Sequence, residues 1–541
     1  MNSSLKFIVL ILLAVTFLLP FFSAQNFSAA SDEITHLPSG YSYWKTGLIQ
    51  LNPQHPPLVK LLAAFPLLFM DLKFDQKNPS LSGPLKGEWQ FGQNFLFANN
   101  ADQLLFWGRL PVMFLSLLLG FYVFKWASEM FSPKAGLLAL FIYALMPAII
   151  ASAQFVTTDL PVAAFSFITL YYLWKFFTPN LSGTRSDLVP LVSLVPTKTR
   201  HLVFCGLFLG LALSSKFSAV LLFPIIVLLL LVYFWSKEGE WEGKMSQAIK
   251  WLAALFALSF GVVYLTYLMP LDFSFYLKGL KTVYADWGSN YKFYLNGHFS
   301  AGGWWYYFPL AFLMKTPLPV LIVLALVPLF YKKYRWSFKN SAFIFIPIII
   351  FGFIISWKAG NISLRYLLPI YPFLILYAAG LAVSLEVSLA TLSRVWRTLA
   401  GLFLTGLAGW YIWSTVSIYP DFLAYFNETV GGPKNGYKYL DDSNLEWGQD
   451  LKRLDAYQKQ HPETKVLYSW DYTNPSYYGI QNILPKEPAY FQNPTGRYAV
   501  NIHFLVRLQE LSQRFNNKNM DWLSLYQPVG RIGYSFLVYE F

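Results

Sequence analysis

Residues 31–60 read SDEITHLPSGYSYWKTGLIQLNPQHPPLVK and follow a hydrophobic segment, residues 5–23, that is long enough to enter a bilayer. Two carboxylates, Asp32 and Glu33, therefore stand close to the point where this segment ends. If the segment runs outward from the cytoplasm, both acids emerge at the external membrane face, where a partly desolvated carboxylate can act as a base. The alternative is a solvated loop that begins with a helix cap at Ser31.

The composition of the chain is that of a membrane protein with several spans. Of its 541 residues, 55% are hydrophobic and 13% charged, whereas a soluble domain is about 25% charged. The single cysteine, Cys205, excludes a disulfide within the chain and a thiolate metal site. The net charge of +13 could suggest nucleic acid. However, the basic residues cluster in short links between apolar runs, which indicates membrane topology and anionic membrane lipids as partners, and no nucleic acid.

The apolar runs predict an all-α polytopic fold with about eleven transmembrane helices, each of about 20 residues. The first run could instead be a cleaved signal peptide, which would still leave Asp32 outside. The predicted runs are 5–23, 103–124, 135–153, 159–177, 202–217, 218–235, 251–270, 305–330, 340–356, 366–386 and 398–418.

Lysine and arginine concentrate in alternate links between the apolar runs, which predicts that the N-terminus lies in the cytoplasm. We expect the protein in the plasma or inner membrane. Residues 1–418 then form the membrane domain, with a first external loop at 24–102. Residues 419–541, which follow an odd-numbered span, form an extracytoplasmic domain. The short apolar stretch 58–70 is expected to lie along the interface.

Residues 419–541, which we call the tail, have the composition of a soluble protein and predict a small α/β domain. We expect strands at 465–471, 498–505 and 533–541, and helices at 445–460 and 506–516.

Asp159 lies between the third and fourth predicted spans, at the membrane depth of Asp32 and Glu33. It can cap the fourth helix together with Thr157 or Thr158. Alternatively, a cluster of acids on one face can orient a hydroxyl acceptor or bind a divalent cation. The sequence leaves these alternatives open.

Four cationic residues also approach this face from within spans, where charge is costly and marks function unless the side chain snorkels to the interface. Arg365 is the strongest of them, because its forked guanidinium suits a phosphate. The other three are Arg109, Lys216 and Lys315.

No metal site is predicted, because His36 and His55 are not spaced on a helix as an HExxH pair would be. The chain also contains no Walker loop and no GxGxxG motif, so a nucleotide site has no support. A donor that is itself an anionic lipid would need neither.

Asp32-Glu33 followed by His55-Pro-Pro-Leu-Val-Lys60 resembles the first external loop of the protein O-mannosyltransferases. Arg109, Thr158-Asp159-Leu and Arg365-Tyr-Leu-Leu-Pro follow in the order typical of the wider GT-C family of polyprenyl-phosphate-sugar glycosyltransferases. The resemblance covers roughly residues 25–420. The tail instead resembles that of bacterial phospholipid-carrier-dependent glycosyltransferases. Residues 441–451, DDSNLEWGQDL, are either a helix capped by Ser443 with Trp447 packed inward or an acceptor-recognition element.

The resemblance implies that Asp32 is the general base for the acceptor hydroxyl and that Glu33 and Asp159 are acids on the acceptor side. It also implies that Arg109 and Arg365 contact the donor phosphate, with His55 and Lys60 lining the donor pocket. Lys216 and Lys315 are further candidates for the anionic ligand.

Taken together, these observations predict an inverting glycosyltransferase that moves a mannose-like hexose from a polyprenyl phosphate to a hydroxyl of a protein, glycan or lipid acceptor. A divalent cation is an open possibility. The competing hypothesis is a transporter or flippase of an anionic lipid-linked sugar, which should carry its acids near mid-span.

Overall fold

The computed structural model of the protein describes residues 3–81, 87–178, 196–235, 241–272, 274–285, 291–330, 337–391, 393–486 and 494–541. Three predicted basic links fall partly outside the described residues, at 179–195, 236–240 and 331–336.

Helices dominate the described residues up to 418, because long apolar runs can satisfy their backbone groups within a bilayer only by forming helices. In chain order they are α1 (Ser3–Ala24), α2 (Ser31–Thr46), α3 (Leu58–Ala64), α4 (Gly87–Ala98), α5 (Ala101–Met130), α6 (Pro133–Ala144), α7 (Pro147–Ala153), α8 (Asp159–Phe177), α9 (Thr197–Leu213), α10 (Leu222–Trp235), α11 (Trp241–Thr266), α12 (Phe275–Ala285), α13 (Tyr307–Lys315), α14 (Leu318–Phe330), α15 (Phe338–Lys358), α16 (Tyr371–Ala390) and α17 (Arg394–Val416). A short hairpin of β1 (Phe293–Leu295) and β2 (His298–Ser300) precedes α13.

Within the described residues, eight helices are long and apolar enough to cross a membrane, and two bent pairs raise the number to ten. The prediction of about eleven spans is therefore not confirmed in number. The difference is the run 202–217, where α9 has 17 residues and ends at Leu213, before the polar pair Ser214 and Ser215.

Helix α8 lies at the centre of the bundle, with nearly all of its residues buried. Aromatic rings hold it to its neighbours: Phe167 lies 4.8 Å from Trp126 of α5 and 5.1 Å from Phe373 of α16, measured between ring centroids. Such close packing stabilises helix association in lipid, where apolar surface gains little by leaving the solvent. The residue at the start of this central helix is Asp159.

Two spans are broken, and each break is closed by a remote part of the chain. Helices α6 and α7 meet at 62°, and Thr415 of α17 donates to the carbonyl of Leu145 between them, at 2.6 Å. Helices α13 and α14 meet at 113°. Pro317 has no N–H for the carbonyl of Leu313, which instead accepts from the amide of Asn427 at 2.6 Å.

The Asn427 side chain also donates to the carbonyl of Thr316 at 2.8 Å, and its backbone N–H donates to Met314 at 2.8 Å. One residue of the tail therefore satisfies three carbonyls at the second break. An unsatisfied carbonyl at membrane depth costs several kcal/mol, so the tail is part of the membrane fold.

The described residues of the tail contain a four-stranded sheet with two helices, as the α/β prediction requires. Its strands stand in the order β3-β4-β6-β5, with β3 and β4 parallel and the other pairs antiparallel. The elements are α18 (Leu451–Gln460), β3 (Lys465–Leu467), β4 (Arg497–Asn501), α19 (Ile502–Phe515), β5 (Gly530–Ile532) and β6 (Phe536–Glu540).

The prediction of one helix over 445–460 is wrong in its first part, because α18 begins only at Leu451. Residues before it turn at Gly448, whose φ of +84° lies outside the helical region. The side chains of Glu446 and Gln449 accept hydrogen bonds from nearby backbone N–H groups, which competes with helix formation. Ser443 caps no helix there.

Candidate active site

Four charged side chains from four separate segments form an alternating line at one end of the bundle, which we call the acid–cation row: Asp32, Arg365, Asp159 and Lys216. Arg365 Nη1 donates to Asp32 Oδ2 at 2.9 Å, and Arg365 Nε lies 3.6 Å from Asp159 Oδ2. Lys216 Nζ donates to the other oxygen of Asp159 at 2.5 Å. Asp32 is the most open of the four, with 25% of its side chain exposed, compared with 12% for Arg365.

Local structure fixes each member of the row. Asp32 lies in the first turn of α2, and Asp159 is the first residue of α8, where helix dipoles favour negative charge. Arg365 lies in a 3₁₀ turn, Leu364–Ile370, whose start is capped by Ser363 Oγ. Lys216 lies in the extended link before a second 3₁₀ turn, Phe217–Leu221, and its ammonium lies 4.3 Å from the ring centre of Tyr366.

Arg109 and Glu33 form a different, fully buried pair. Arg109 Nε and Nη2 donate to the two oxygens of Glu33 at 2.8 and 2.7 Å. The remaining N–H groups donate to the carbonyls of Ala24, Phe27 and Ser28, so all five guanidinium donors are used. Glu33 also accepts the backbone N–H groups of Ala30 and Val156 at 3.0 Å. This pair therefore ties the end of α1, the start of α2 and the loop before α8 together.

Lys60 is likewise saturated by the protein. Its Nζ donates to the hydroxyl of Tyr43 at 2.9 Å and to the carbonyls of Asn52 and His55, both at 2.7 Å. Burial shifts the Lys60 pKa well below its ordinary value, and the Glu88 carboxylate partly opposes the shift. Lys60 therefore fixes the backbone of the loop that leads into His55-Pro-Pro.

Lys315, at the end of α13, contacts the tail. Its Nζ donates to the carbonyls of Leu423, Tyr425 and Asn444, at 2.9, 3.0 and 2.6 Å. These three bonds use all three ammonium protons. Lys315 therefore anchors the tail to the membrane part.

The two histidines that are far apart in sequence meet in space. The ring centroids of His36 and His55 are 5.0 Å apart, edge to face, and His36 Nδ1 bonds the carbonyl of Val156 at 2.9 Å. Burial lowers the pKa of both, that of His55 well below its ordinary value, although Asp32 opposes the shift at His36. Both imidazoles are therefore neutral at pH 7.

The sequence left open whether residues 441–451 form a capped helix or an acceptor-recognition element, and it did not predict that residues 441–450, which we call the tail bridge, contact Arg365. Asn444 Oδ1 accepts the N–H of Leu364, and its amide donates to the carbonyl of Ile362 and to Tyr307. The ring of Trp447 lies 3.9 Å from the guanidinium carbon of Arg365. The available signal was the density of Asp, Asn, Glu and Gln in this motif, which is too polar for a packed helix.

Within the ranges that the structure describes, no group of three or more His, Cys, Asp or Glu side chains is arranged to hold a metal ion. The acids of the acid–cation row instead neutralise cationic side chains. An anionic ligand at the row would accordingly bind to Arg365 and Lys216.

The architecture is that of a GT-C membrane glycosyltransferase. The oligosaccharyltransferase of Archaeoglobus fulgidus in its apo form aligns with a TM-score of 0.51 and 12% identity, over 94% of this chain and 71% of that one, and shares the fold. ArnT from Cupriavidus metallidurans, in the apo state, aligns at 14% identity over 99% and 98% of the two chains with a TM-score of 0.49. The Pmt1-Pmt2 complex of S. cerevisiae aligns at 18% identity over 52% and 34%, with a TM-score of 0.33.

The sequence itself identifies the family. Residues 8–277, close to half of the chain, match the family described as dolichyl-phosphate-mannose-protein mannosyltransferase, and this part of the chain belongs to that family within the GT-C glycosyltransferases. No curated protein sequence matches the chain. The family match favours the enzyme over the transporter hypothesis.

Proposed function

We propose that the protein transfers a mannose-like hexose from a polyprenyl phosphate to an acceptor hydroxyl, with inversion at the anomeric carbon. The observation that carries this proposal is the acid–cation row, in which a partly open carboxylate, Asp32, lies 2.9 Å from a guanidinium with unused donors. A base and an oxyanion-binding group are thereby adjacent, as phosphate departure with proton transfer requires. The family match supports the lipid-phosphate donor and the choice of sugar.

In this mechanism the acceptor oxygen attacks the anomeric carbon while the bond from that carbon to the phosphate oxygen breaks. The acceptor proton passes to Asp32, and the polyprenyl phosphate leaves with the electron pair of the broken bond. Arg365 and Lys216 bind the phosphate and stabilise the charge that it gains. Asp159, which contacts both cations, holds them at the spacing of the row.

Arg109, Lys60 and Lys315 have no N–H donor left for a phosphate, and this changes the roles that we expected for them from the sequence. A phosphate at Arg109, Lys60 or Lys315 would have to replace hydrogen bonds that already use every N–H proton of these groups. We therefore assign Arg109 and Glu33, Lys60, and Lys315 to holding the site together, and His55 to the wall of the donor pocket as a neutral imidazole. The positive-inside pattern supports an extracytoplasmic site.

The test is transfer from radiolabelled polyprenyl-phosphate sugars by purified protein in nanodiscs, with hexose, pentose and amino-sugar donors compared. We expect release of free polyprenyl phosphate from the mannose-like donor, and a product of inverted anomeric configuration by NMR. Asp102→Asn is a matched control, because Asp102 is an exposed acid paired with Lys452 away from the row. Failure of every donor to react in the unaltered protein would refute the proposal.

A further inference from the structure

Trp447 of the tail bridge contacts Arg365 of the acid–cation row and the residue that precedes Asp32. Its indole face lies 3.9 Å from the guanidinium carbon of Arg365. Its backbone carbonyl accepts the N–H of Ser31, the first residue of α2, at 2.9 Å. Asp32 is the next residue. One residue of the tail therefore contacts both the Arg365 guanidinium and the start of the helix that carries Asp32.

The position of Trp447 is itself strongly determined. The residue is only 4% exposed and packs with Phe27, Ala30 and Phe155. Its backbone N–H donates to Gln449 Oε1 at 2.5 Å, and the backbone N–H of Ser28 donates to the carbonyl of Gln449 at 2.9 Å. These bonds join the tail bridge to the chain just before α2. The ring packs directly against the chain that leads into that helix.

The stacking has a direct electrostatic consequence for Arg365. A guanidinium over an indole face is stabilised by the ring quadrupole, and the effect grows when water is excluded. The contact covers one face of the guanidinium and leaves its edges, which carry the N–H donors, for Asp32 and for a phosphate. Few other side chains could fix the plane of the guanidinium without using a donor.

We propose that Trp447 is a positioning residue for the transfer reaction: its ring sets the plane of Arg365 and its carbonyl sets the start of α2, so that the tail fixes the geometry between phosphate group and base. This proposal rests on the proposed function of the acid–cation row. It assigns the conspicuous DDSNLEWGQDL motif to the chemistry of the membrane part.

The first experiment compares Trp447→Leu with Trp447→Phe, at matched amounts of folded protein. Leucine fills space without a π face, whereas phenylalanine retains one. We expect kcat/KM for the donor to fall about tenfold or more in Trp447→Leu and to recover in large part in Trp447→Phe. Trp413→Leu is the control, because Trp413 is 67% exposed on α17. Equal activity of the two Trp447 variants would overturn the proposal.

The second experiment is a double-mutant cycle with Arg365→Lys, which keeps the charge but removes the planar fork. If Trp447 acts through Arg365, Trp447→Leu costs much less in the Arg365→Lys background than in the unaltered protein. Additive losses would indicate a purely structural role and would also overturn the proposal. Should Trp447→Leu fold poorly, the same cycle with Trp447→Met, which also lacks a π face, read by binding of polyprenyl phosphate, decides the matter.

These outcomes are separable from failure of the proposed function. Absence of transfer by the unaltered protein refutes the glycosyltransferase mechanism. In that case the binding of polyprenyl phosphate still reports whether Trp447 and Arg365 are coupled. Normal transfer by Trp447→Leu refutes only the role of the tail.

Discussion

Asp32 and Glu33 are neighbours in sequence, and each lies against an arginine, yet the two ion pairs differ in what remains available. Glu33 and Arg109 are buried, bidentate and surrounded by backbone groups, with every guanidinium donor used. Asp32 and Arg365 are joined by one hydrogen bond, and Arg365 Nε has no hydrogen-bond partner. The first pair is closed to a ligand and the second is open to one.

The difference shows that a buried charge in a membrane protein is a weak sign of catalysis by itself. What separates a structural pair from a reactive pair is the number of unused donors and the exposure of the acid. By this criterion Asp32 is the half of the DE dipeptide that we propose as the base, and Glu33 is the internal reference.

The largest expected effect is on the closed pair. Glu33→Gln leaves Arg109 as a buried charge without its counter-ion, which costs about 3–5 kcal/mol. We expect a large fall in thermal stability and in the yield of folded protein, measured by tryptophan fluorescence in detergent. The molecules that do fold should keep most of their transfer activity. A stable but inactive Glu33→Gln protein would place Glu33 in the chemistry instead.

The open pair should behave in the opposite way. Asp32→Asn keeps the shape and removes the proton-accepting charge, so the transfer rate should fall about 10²-fold or more, the usual share of general-base catalysis. Donor binding and the melting temperature should change little, since Asp32 is partly exposed and makes few contacts. Near-normal turnover in Asp32→Asn would show that the two pairs do not differ in the proposed way.

The arginine of the open pair distinguishes charge from geometry. Arg365→Lys retains a positive charge but loses the fork, and should weaken the binding of polyprenyl phosphate about tenfold, which corresponds to one charged hydrogen bond. Arg365→Ala should weaken it further. Isothermal titration with the lipid phosphate in nanodiscs measures both. Identical affinities for lysine and arginine would mean that only the charge matters.

The smallest effect concerns pH. Burial lowers the pKa of His36 below its ordinary value, so the folded protein binds fewer protons there than the unfolded chain. The stability contributed by the neutral ring is present above the unfolded pKa of about 6.5 and is lost as the pH falls. His36→Asn, which keeps a donor near Val156, should flatten the fall in melting temperature between pH 7 and 5. An unchanged slope would exclude His36 as its source.

Much of the fold followed from the sequence because apolar length and charge asymmetry act locally. The helical membrane part and the α/β character of the tail follow from such patterns, whereas the GT-C class follows from the resemblance of the sequence motifs to a known family. The number of spans is not confirmed, since α9 has only 17 residues and ends at Leu213.

The candidate site was harder to predict, because residues far away in the sequence decide whether the hydrogen-bond donors of a lysine or arginine are already used. The sequence places Lys315 and Arg365 alike near a membrane face, but only folding brings Leu423, Tyr425 and Asn444 onto Lys315. The same holds for Trp447 beside Arg365. Contacts between residues so distant along the chain leave no local pattern, and in this protein they decide which charges are free.

Asn427 imposes an order on biogenesis. It closes the break between α13 and α14, yet it is translated 111 residues after Thr316, whose carbonyl it satisfies. Until the ribosome has made that residue, the broken span holds exposed carbonyls that lipid cannot satisfy. The nascent chain therefore completes this membrane segment only when the tail has reached it, and a chain that stops before Asn427 keeps an open helix break.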